Sequence, residues 1–113
     1  MMNLSALHKI LSIKKDTDIK ELMSKGEKIY TKYGLFFLNK DVKTDQYGFA
    51  VLIKKHVGKA VWRNYCKRLI REYMRAHIHI FSQYNRILFL YNYEGTVDYK
   101  GLTEEFDRRL QTI

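Results

Sequence analysis

The polar and apolar positions between residues 54 and 75 separate into two faces when this stretch is wound as an α-helix at about 100° per residue. Large apolar side chains recur at helical spacing on one side, with Ala76 among them: Trp62, Cys66, Leu69, Tyr73 and Ile80. The other side carries Arg63, Asn64, Lys67, Arg68, Arg71 and Arg75. The pattern predicts a long helix over about residues 57–79, with one face in a core and the other exposed.

Shorter patterns on either side of this helix predict a sheet. A first helix is predicted to begin near residue 16 and to end at Gly26, because glycine favours a helix C-terminus. Alternating or apolar runs predict strands at residues 28–33, 35–40, 47–55 and 86–93. The run at 47–55 is apolar on both faces, which is typical of a central strand. Residues 1–15 are basic and weakly patterned, and we interpret them as an extended or loosely held arm.

A last helix completes the predicted fold. Asp98 can cap it, and its apolar face follows from the i, i+4 spacing of Leu102, Phe106 and Leu110, continued by Ile113. The predicted order is α-β-β-β-α-β-α, an α+β sandwich in which one sheet packs against helices. A chain of 113 residues fits one domain, so we expect residues 1–113 to form a single domain with the basic arm, residues 1–15, at its N-terminus.

Positive charge is concentrated on the long helix and on the residues that directly precede it. Residues 54–75 hold eight Lys or Arg and the single acid Glu72, which gives +7 of the formal net charge of +9. An isolated basic pair is usually a solvated face, but Arg63, Lys67, Arg71 and Arg75 form an unbroken i, i+4 series of like charges. Each such pair costs a few tenths of a kcal/mol in the free helix. An anionic partner such as nucleic acid explains this pattern better than solvent does.

The acidic residues and histidines do not form a predicted catalytic or metal site. Self-contained nuclease chemistry requires clustered carboxylates or an acid–base pair. The nearest cluster is Glu104, Glu105 and Asp107, which we interpret as a solvated helix face. His77 and His79 point about 200° apart on a helix, so one metal ion cannot bind both from one side. The sequence therefore predicts binding without catalysis by the chain itself.

Cysteine usage and hydropathy indicate the cellular environment of the chain. The lone Cys66 lies on the apolar stripe, so we interpret it as a small core residue rather than a nucleophile. No apolar run approaches the roughly 20 residues that a membrane span requires, and the N-terminal stretch is not a convincing signal peptide. We therefore expect a cytoplasmic protein with no membrane partner.

The stretch KKHVGKAVWRNYCKRLIRE at residues 54–72 resembles the signature of the bacterial ribonuclease P protein component. The two lysines, the loop glycine and the Arg63–Asn64 pair all stand at that family's spacing, and the order of predicted elements is also that of the family. The resemblance implies a ribonucleoprotein subunit whose catalytic RNA partner removes the 5′ leader of precursor tRNA, with Mg²⁺ held mainly by RNA and none bound by the protein alone. It implies no obligate protein partner. It also implies a left-handed β-α-β crossover through the long helix, against the usual right-handed rule.

The resemblance also implies two groups of binding residues. Contacts to the catalytic RNA are expected from Lys54, Lys55, Lys59, Arg63, Asn64, Lys67, Arg68 and Arg71. A cleft for the single-stranded leader is expected from Ile19, Met23, Phe37, Val51 and Ile53. The chain departs from the family pattern where Tyr65 replaces the second Arg of an Arg-Asn-Arg triplet, and where Val51 and Ile53 replace serines. Ile19 and Met23 stand where the family often has aromatic residues.

Single aromatic rings on the predicted strands have two interpretations. Phe36 and Phe37 lie on opposite sheet faces by alternation, so one ring can be buried while the other stacks with an unpaired base. Ordinary core packing is the simpler interpretation for either ring. Two other function classes remain open at this point: a general RNA-binding or ribosome-associated protein, and an autonomous nuclease, which the scattered acids disfavour.

Overall fold

The computed structural model describes residues 11–12, 16–43, 46–81 and 83–111. Its helices are α1 (Asp16–Lys25), α2 (Ala60–His77) and α3 (Tyr99–Leu110). Its strands are β1 (Leu11–Ser12), β2 (Glu27–Thr31), β3 (Gly34–Asn39), β4 (Gly48–Ile53) and β5 (Arg86–Tyr91). Short 3₁₀ turns at Lys55–Val57 and Ile78–Phe81 flank α2.

The described strands form one sheet in the order β1-β4-β5-β3-β2. β4 is parallel to β1 and to β5, whereas β3 is antiparallel to β5 and β2. The predicted α+β class and element order are confirmed, and β4 and β5 are parallel neighbours joined through α2. The left hand of this crossover stays a prediction. Two residues of the predicted arm form β1, which extends the sheet beyond β4, and the other residues of 1–15 lie outside the described part of the chain.

The main core fills the face of the sheet that α2 and α3 cover. From α2 it receives Cys66, Leu69, Ile70, Tyr73 and Met74, all buried. The prediction for Cys66 as a core residue is confirmed, and burial raises the pKa of its thiol. The predicted apolar stripe includes Ala76, but Ala76 is exposed. The buried side of α2 instead includes Ile70 and Met74, because it is broader than the line of the largest apolar residues.

A smaller apolar cluster lies on the other face of the sheet, beneath α1. Its buried members are Leu22 of α1, Phe37 of β3 and Leu88 of β5. The chain enters α1 after β1, which is one edge strand of the sheet, and leaves it into β2, which is the opposite edge strand. Because Gly26 at the end of α1 lies close to Leu38, the helix crosses the half of the sheet where β3 ends and β4 and β5 begin.

Gly58 separates the 3₁₀ turn from α2, so the α-helix begins at Ala60 and not near Val57 as predicted. The backbone of Gly58 has φ 158°, and a Cβ placed there would lie 2.9 Å from Cδ1 of Trp62. A side chain at this position would therefore push against the first turn of α2. The glycine lets the basic segment after β4 turn sharply into the helix.

Glu105 ties α3 to the turn between β2 and β3. Its side chain is 5% exposed, and its Oε2 accepts a hydrogen bond of 2.6 Å from the backbone N–H of Lys32. Arg108 and Arg109 also donate to this carboxylate. Burial opposes its ionisation, but the Lys32 N–H and the two guanidinium groups outweigh that cost, so the pKa of Glu105 lies below its ordinary value. The sequence-based interpretation of Glu105 as part of a solvated face is wrong, whereas Glu104 and Asp107 are exposed.

Candidate nucleic-acid interface

The outer side of α2 presents the predicted cations together. We call Arg63, Asn64, Lys67, Arg68, Arg71 and Arg75 the basic face. Asn64, Arg68 and Arg71 are exposed, as the i, i+3 and i+4 spacing requires. Arg63 and Lys67 are partly buried because they lie on the side of the helix that borders β4. Together with Asn64 they line a small depression shared with Ile53 and Ala60.

The charge of the basic face is not neutralised by the protein. Among the described residues, no ion pair involves a Lys or Arg between Lys54 and Arg75, and the one pair that reaches α2 joins His77 at its end to Asp107. The first turn of α2 contains no acid, and Lys59 at the N-cap makes no capping bond with its side chain. The free N–H groups of a helix N-terminus favour an anion. Lys55 and Lys59 are exposed beside this end.

Lys54 belongs to a different side of the molecule. Its backbone N–H donates to the carbonyl of Tyr91, which continues the β4–β5 ladder by one residue beyond Ile53. Side chains alternate along a strand, so Lys54 is placed on the same face as Leu52. This is the face that α1 partly covers, opposite α2. The eight predicted RNA-binding residues are therefore divided, with Lys54 beside the predicted leader cleft.

The strand register decides which residues can form that cleft. Phe37 pairs with Leu88, and Leu88 pairs with Ala50, so these three side chains share the face beneath α1. Val51 and Ile53 are on the opposite face, where they pack with the main core. The prediction that places Val51 and Ile53 in one cleft with Phe37 is therefore wrong by one residue in register. A shift of one residue along a strand moves every side chain to the other face.

A partly exposed apolar surface nevertheless lies beside α1. Leu35, Leu90 and Leu52 form the next row across β3, β5 and β4, and each is partly exposed. Ile19 and Met23 of α1, both predicted, are also partly exposed and pack against this side. We call the following residues the open groove: Ile19, Met23, Leu35, Ala50, Leu52 and Leu90. Sequence reasoning missed Leu35, Ala50, Leu52 and Leu90 because strand pairing, and not composition, places them here.

The β2 edge adds an aromatic ring and a cation to the open groove. Tyr30 pairs with Leu35 on this face and is 69% exposed. The ammonium group of Lys28 lies 5.8 Å from the centre of the Phe37 ring. Phe37 itself is only 4% exposed, and Phe36 on the other face is fully buried. The simpler interpretation, ordinary core packing, is confirmed for both rings, and Tyr30 is the accessible ring on this face.

The described residues contain neither a metal-binding cluster nor a membrane-spanning helix. Within them, no three His, Cys, Asp or Glu side chains gather closely enough to hold a metal ion. None of the helices in the described part of the chain is long and apolar enough to cross a membrane.

Comparison with known proteins gives one consistent family. The family model for ribonuclease P matches residues 7–113. The ribonuclease P protein component of Fusobacterium nucleatum is 39% identical over 67 residues, which cover 59% of this chain and 60% of that protein. The Clostridioides difficile protein of the same name is 35% identical over 66 residues, 58% of this chain and 57% of its own length. These matched stretches span less than two thirds of either relative.

Solved structures agree on the fold. The RNase P protein of Staphylococcus aureus has a TM-score of 0.79 at 22% identity, covering 92% of this chain and 95% of that one. The RNase P protein from Thermotoga maritima has a TM-score of 0.77 at 20% identity, covering 90% of this chain and 96% of that one. Because the family model matches nearly the whole of this chain, the chain belongs to the ribonuclease P protein component family.

Proposed function

We propose that this chain is the protein subunit of ribonuclease P and promotes removal of the 5′ leader from precursor tRNA by a catalytic RNA. The observation that carries the proposal is the separation of two surfaces across one sheet. A basic face with no ion pair to its Lys or Arg side chains among the described residues lies outside α2, and the partly exposed apolar residues of the open groove lie on the other side of the sheet, beside α1. One chain can thus contact two RNA segments at the same time.

The basic face is suited to the catalytic RNA. Its cations lie along successive turns of one helix, so they can follow a line of phosphates without rearrangement of the fold. Arg63 and Lys67 are partly buried, which limits the freedom of their side chains before binding. Lys55, Lys59 and the free N–H groups at the start of α2 extend the same surface.

The open groove is suited to a single-stranded leader. Its floor of leucines gives apolar contact to the faces of unpaired bases, and Tyr30 at the β2 edge can stack with one of them. Lys28 and Lys54 border the groove and can neutralise the phosphates of the strand. Contacts of this kind are tolerant of sequence, because every base has an aromatic face.

The chain would assist the cleavage without performing it. Its described side chains form no donor set for Mg²⁺, so we assign the metal to the catalytic RNA and the substrate. By neutralising phosphates, the protein would lower the Mg²⁺ concentration at which the RNA and its substrate assemble. The cytoplasmic location and the lack of an obligate protein partner stay predictions.

A cleavage assay with four mixtures tests the proposal. Precursor tRNA is incubated at low Mg²⁺ with the protein, with a bacterial ribonuclease P RNA, with both and with neither. We expect mature 5′ ends only with both components, and cleavage by RNA alone only when Mg²⁺ is raised. Cleavage by the protein alone after rigorous nuclease removal would indicate an autonomous nuclease. RNA binding without any stimulation would indicate a general RNA-binding protein.

A further inference from the structure

The N-terminal half of α2 carries an apolar surface that belongs neither to the basic face nor to the open groove. The rings of Trp62 and Tyr65 stack with their centres 5.1 Å apart and their planes inclined by 30°. Both rings pack partly against the main core, and the neighbouring Val61 is 83% exposed. We call Val61, Trp62 and Tyr65 the Trp62 patch. They line one open depression together with Lys59, Asn64 and Arg68.

Local structure holds the two rings in place before any partner binds. Trp62 and Tyr65 are three residues apart on α2, so their side chains lie on adjacent turns. The backbone of Gly58 approaches Trp62 so closely that a Cβ at Gly58 would meet the indole at 2.9 Å. Each ring is anchored at its inner edge by the core. A flat ligand would therefore meet a surface that loses little conformational entropy on binding.

Positive charge surrounds the Trp62 patch. The guanidinium carbon of Arg68 lies 5.7 Å from the centre of the Tyr65 ring. Lys59 is exposed at the N-cap of α2, where no acid occupies the first turn. A guanidinium plane stacks on a nucleobase as it does on a phenol ring. The surface thus combines aromatic faces with groups that bind phosphate.

We propose that the Trp62 patch binds one unpaired nucleobase of the catalytic RNA, with the phosphate of that nucleotide held at Lys59 and Arg68. The inference rests on the proposed function. A stable protein partner would bury about 800 Å² on each side and some 20–30 residues, which is far more than this depression of six residues. The cationic rim favours a nucleotide over a neutral apolar ligand.

The position of the patch identifies which RNA supplies the base. Trp62 and Tyr65 pack with the main core, on the α2 side of the sheet, whereas the open groove lies on the α1 side. Asn64 and Arg68 belong both to the depression and to the basic face. The base therefore comes from the RNA that lies along α2. The Tyr65 ring, which stands where the family usually has an arginine, would replace a phosphate contact by a stacking contact.

Fluorescence of Trp62 tests the stacking directly, because the chain contains one tryptophan. The full chain is titrated at low salt with a short oligouridylate and with an abasic oligoribonucleotide that has the same number of phosphates. We expect both to bind and only the ligand with bases to quench the indole emission strongly. Equal quenching by the two ligands would overturn the proposal, because the indole would then report charge alone.

Two variants at one position provide the second test. Tyr65→Phe keeps the ring and should bind a bacterial ribonuclease P RNA as the parent chain does. Tyr65→Leu should bind it roughly 5- to 150-fold more weakly, the range expected for one base stacked on an aromatic ring. The slope of log affinity against log salt should be the same in both variants, because neither changes the charge.

The outcomes separate this inference from the proposed function. If the parent chain neither binds the catalytic RNA nor stimulates cleavage, the proposed function fails. If it does both, and Tyr65→Leu equals Tyr65→Phe in affinity, only the stacking site is refuted. Circular dichroism establishes whether Tyr65→Leu is folded. Should it not fold, the fluorescence comparison on the parent chain still decides.

Discussion

The basic face of α2 and the open groove differ in how the chain assembles them. The basic face comes from one continuous helix, and its side chains are placed by helical geometry alone. The open groove takes side chains from α1, β3, β4 and β5, so each contribution depends on pairing between distant segments. Charge dominates the first surface, and apolar area dominates the second. The two surfaces should therefore respond differently to salt and to mutation.

This difference also explains where prediction from sequence succeeds. A helix face can be read from i, i+3 and i+4 spacing, and an error of a turn at either end leaves the face unchanged. A strand gives no such tolerance, because one residue of register reverses the faces. Any assignment to the open groove is therefore more fragile than an assignment to the basic face.

The largest expected effect is that of removing the Phe37 ring. Phe37 is 4% exposed between α1 and the sheet, so Phe37→Ala should lower the free energy of unfolding by about 3–5 kcal/mol. Loss of leader preference in this variant would then follow from loss of structure. The measurement is urea unfolding, followed by leader-dependent binding for the folded fraction.

Tyr30→Ala is the matched control for Phe37→Ala. Tyr30 is an aromatic residue on the same sheet face but is 69% exposed, so its loss should change stability by no more than about 0.5 kcal/mol. It should still weaken the preference for leader-bearing tRNA, because its ring is accessible. Equal stability of both variants would show that Phe37 does not contribute to the packing between α1 and the sheet.

The second expected effect concerns salt dependence and is specific to the basic face. Replacing Arg63 and Lys67 by Ala should lower the slope of log affinity for the catalytic RNA against log salt by roughly 2, since each phosphate contact contributes about 0.9 on duplex-like nucleic acid. Both side chains lie outside the buried side of α2, so the fold should be retained.

A double variant of Lys43 and Lys100 to Ala removes the same charge elsewhere. Both lysines are exposed and lie outside α2. The salt slope of this control should stay close to that of the parent chain. If the two double variants lower the slope equally, the RNA responds only to net charge and the basic face has no special role.

The order of the elements and the basic face are predictable because both depend on local periodicity. The spacing of Cys66, Leu69 and Tyr73 predicts the buried side of α2, and it places the cations opposite without knowledge of the sheet. The residues of the open groove are not predictable to the same degree. The run FAVLI is apolar throughout, so nothing within it indicates which residues face α1; pairing of Ala50 with Leu88 settles that. Burial of Phe37 likewise depends on where α1 crosses the sheet.

Substitutions on the two faces of β4 should have smaller effects, and these effects should differ in kind. Leu52→Ala removes partly exposed apolar surface from the open groove, and we expect about 1 kcal/mol less preference for leader-bearing over leaderless tRNA. Val51 is 8% exposed in the main core, so Val51→Ala should cost about 1–2 kcal/mol of stability and leave leader preference unchanged. Reversal of these two results would place the leader on the α2 side of the sheet.

The smallest expected effect is a pH-dependent one at the β2 edge of the groove, which Glu105 secures through the backbone N–H of Lys32. Because the folded state holds the pKa of Glu105 below its ordinary value of 4.5, its stabilisation is complete above that pH and is lost as the pH falls through the lower, folded-state value. Glu105→Gln should cost about 1 kcal/mol at neutral pH, and the difference from the parent chain should shrink in acid. Glu104→Gln is the control, since Glu104 is exposed one residue away. Urea unfolding from neutral to acid pH measures both variants.

Amide hydrogen exchange should show faster opening of β2 than of α2 in Glu105→Gln. Uniform acceleration across both elements would mean that Glu105 stabilises the whole fold, and the groove edge would then have no separate support.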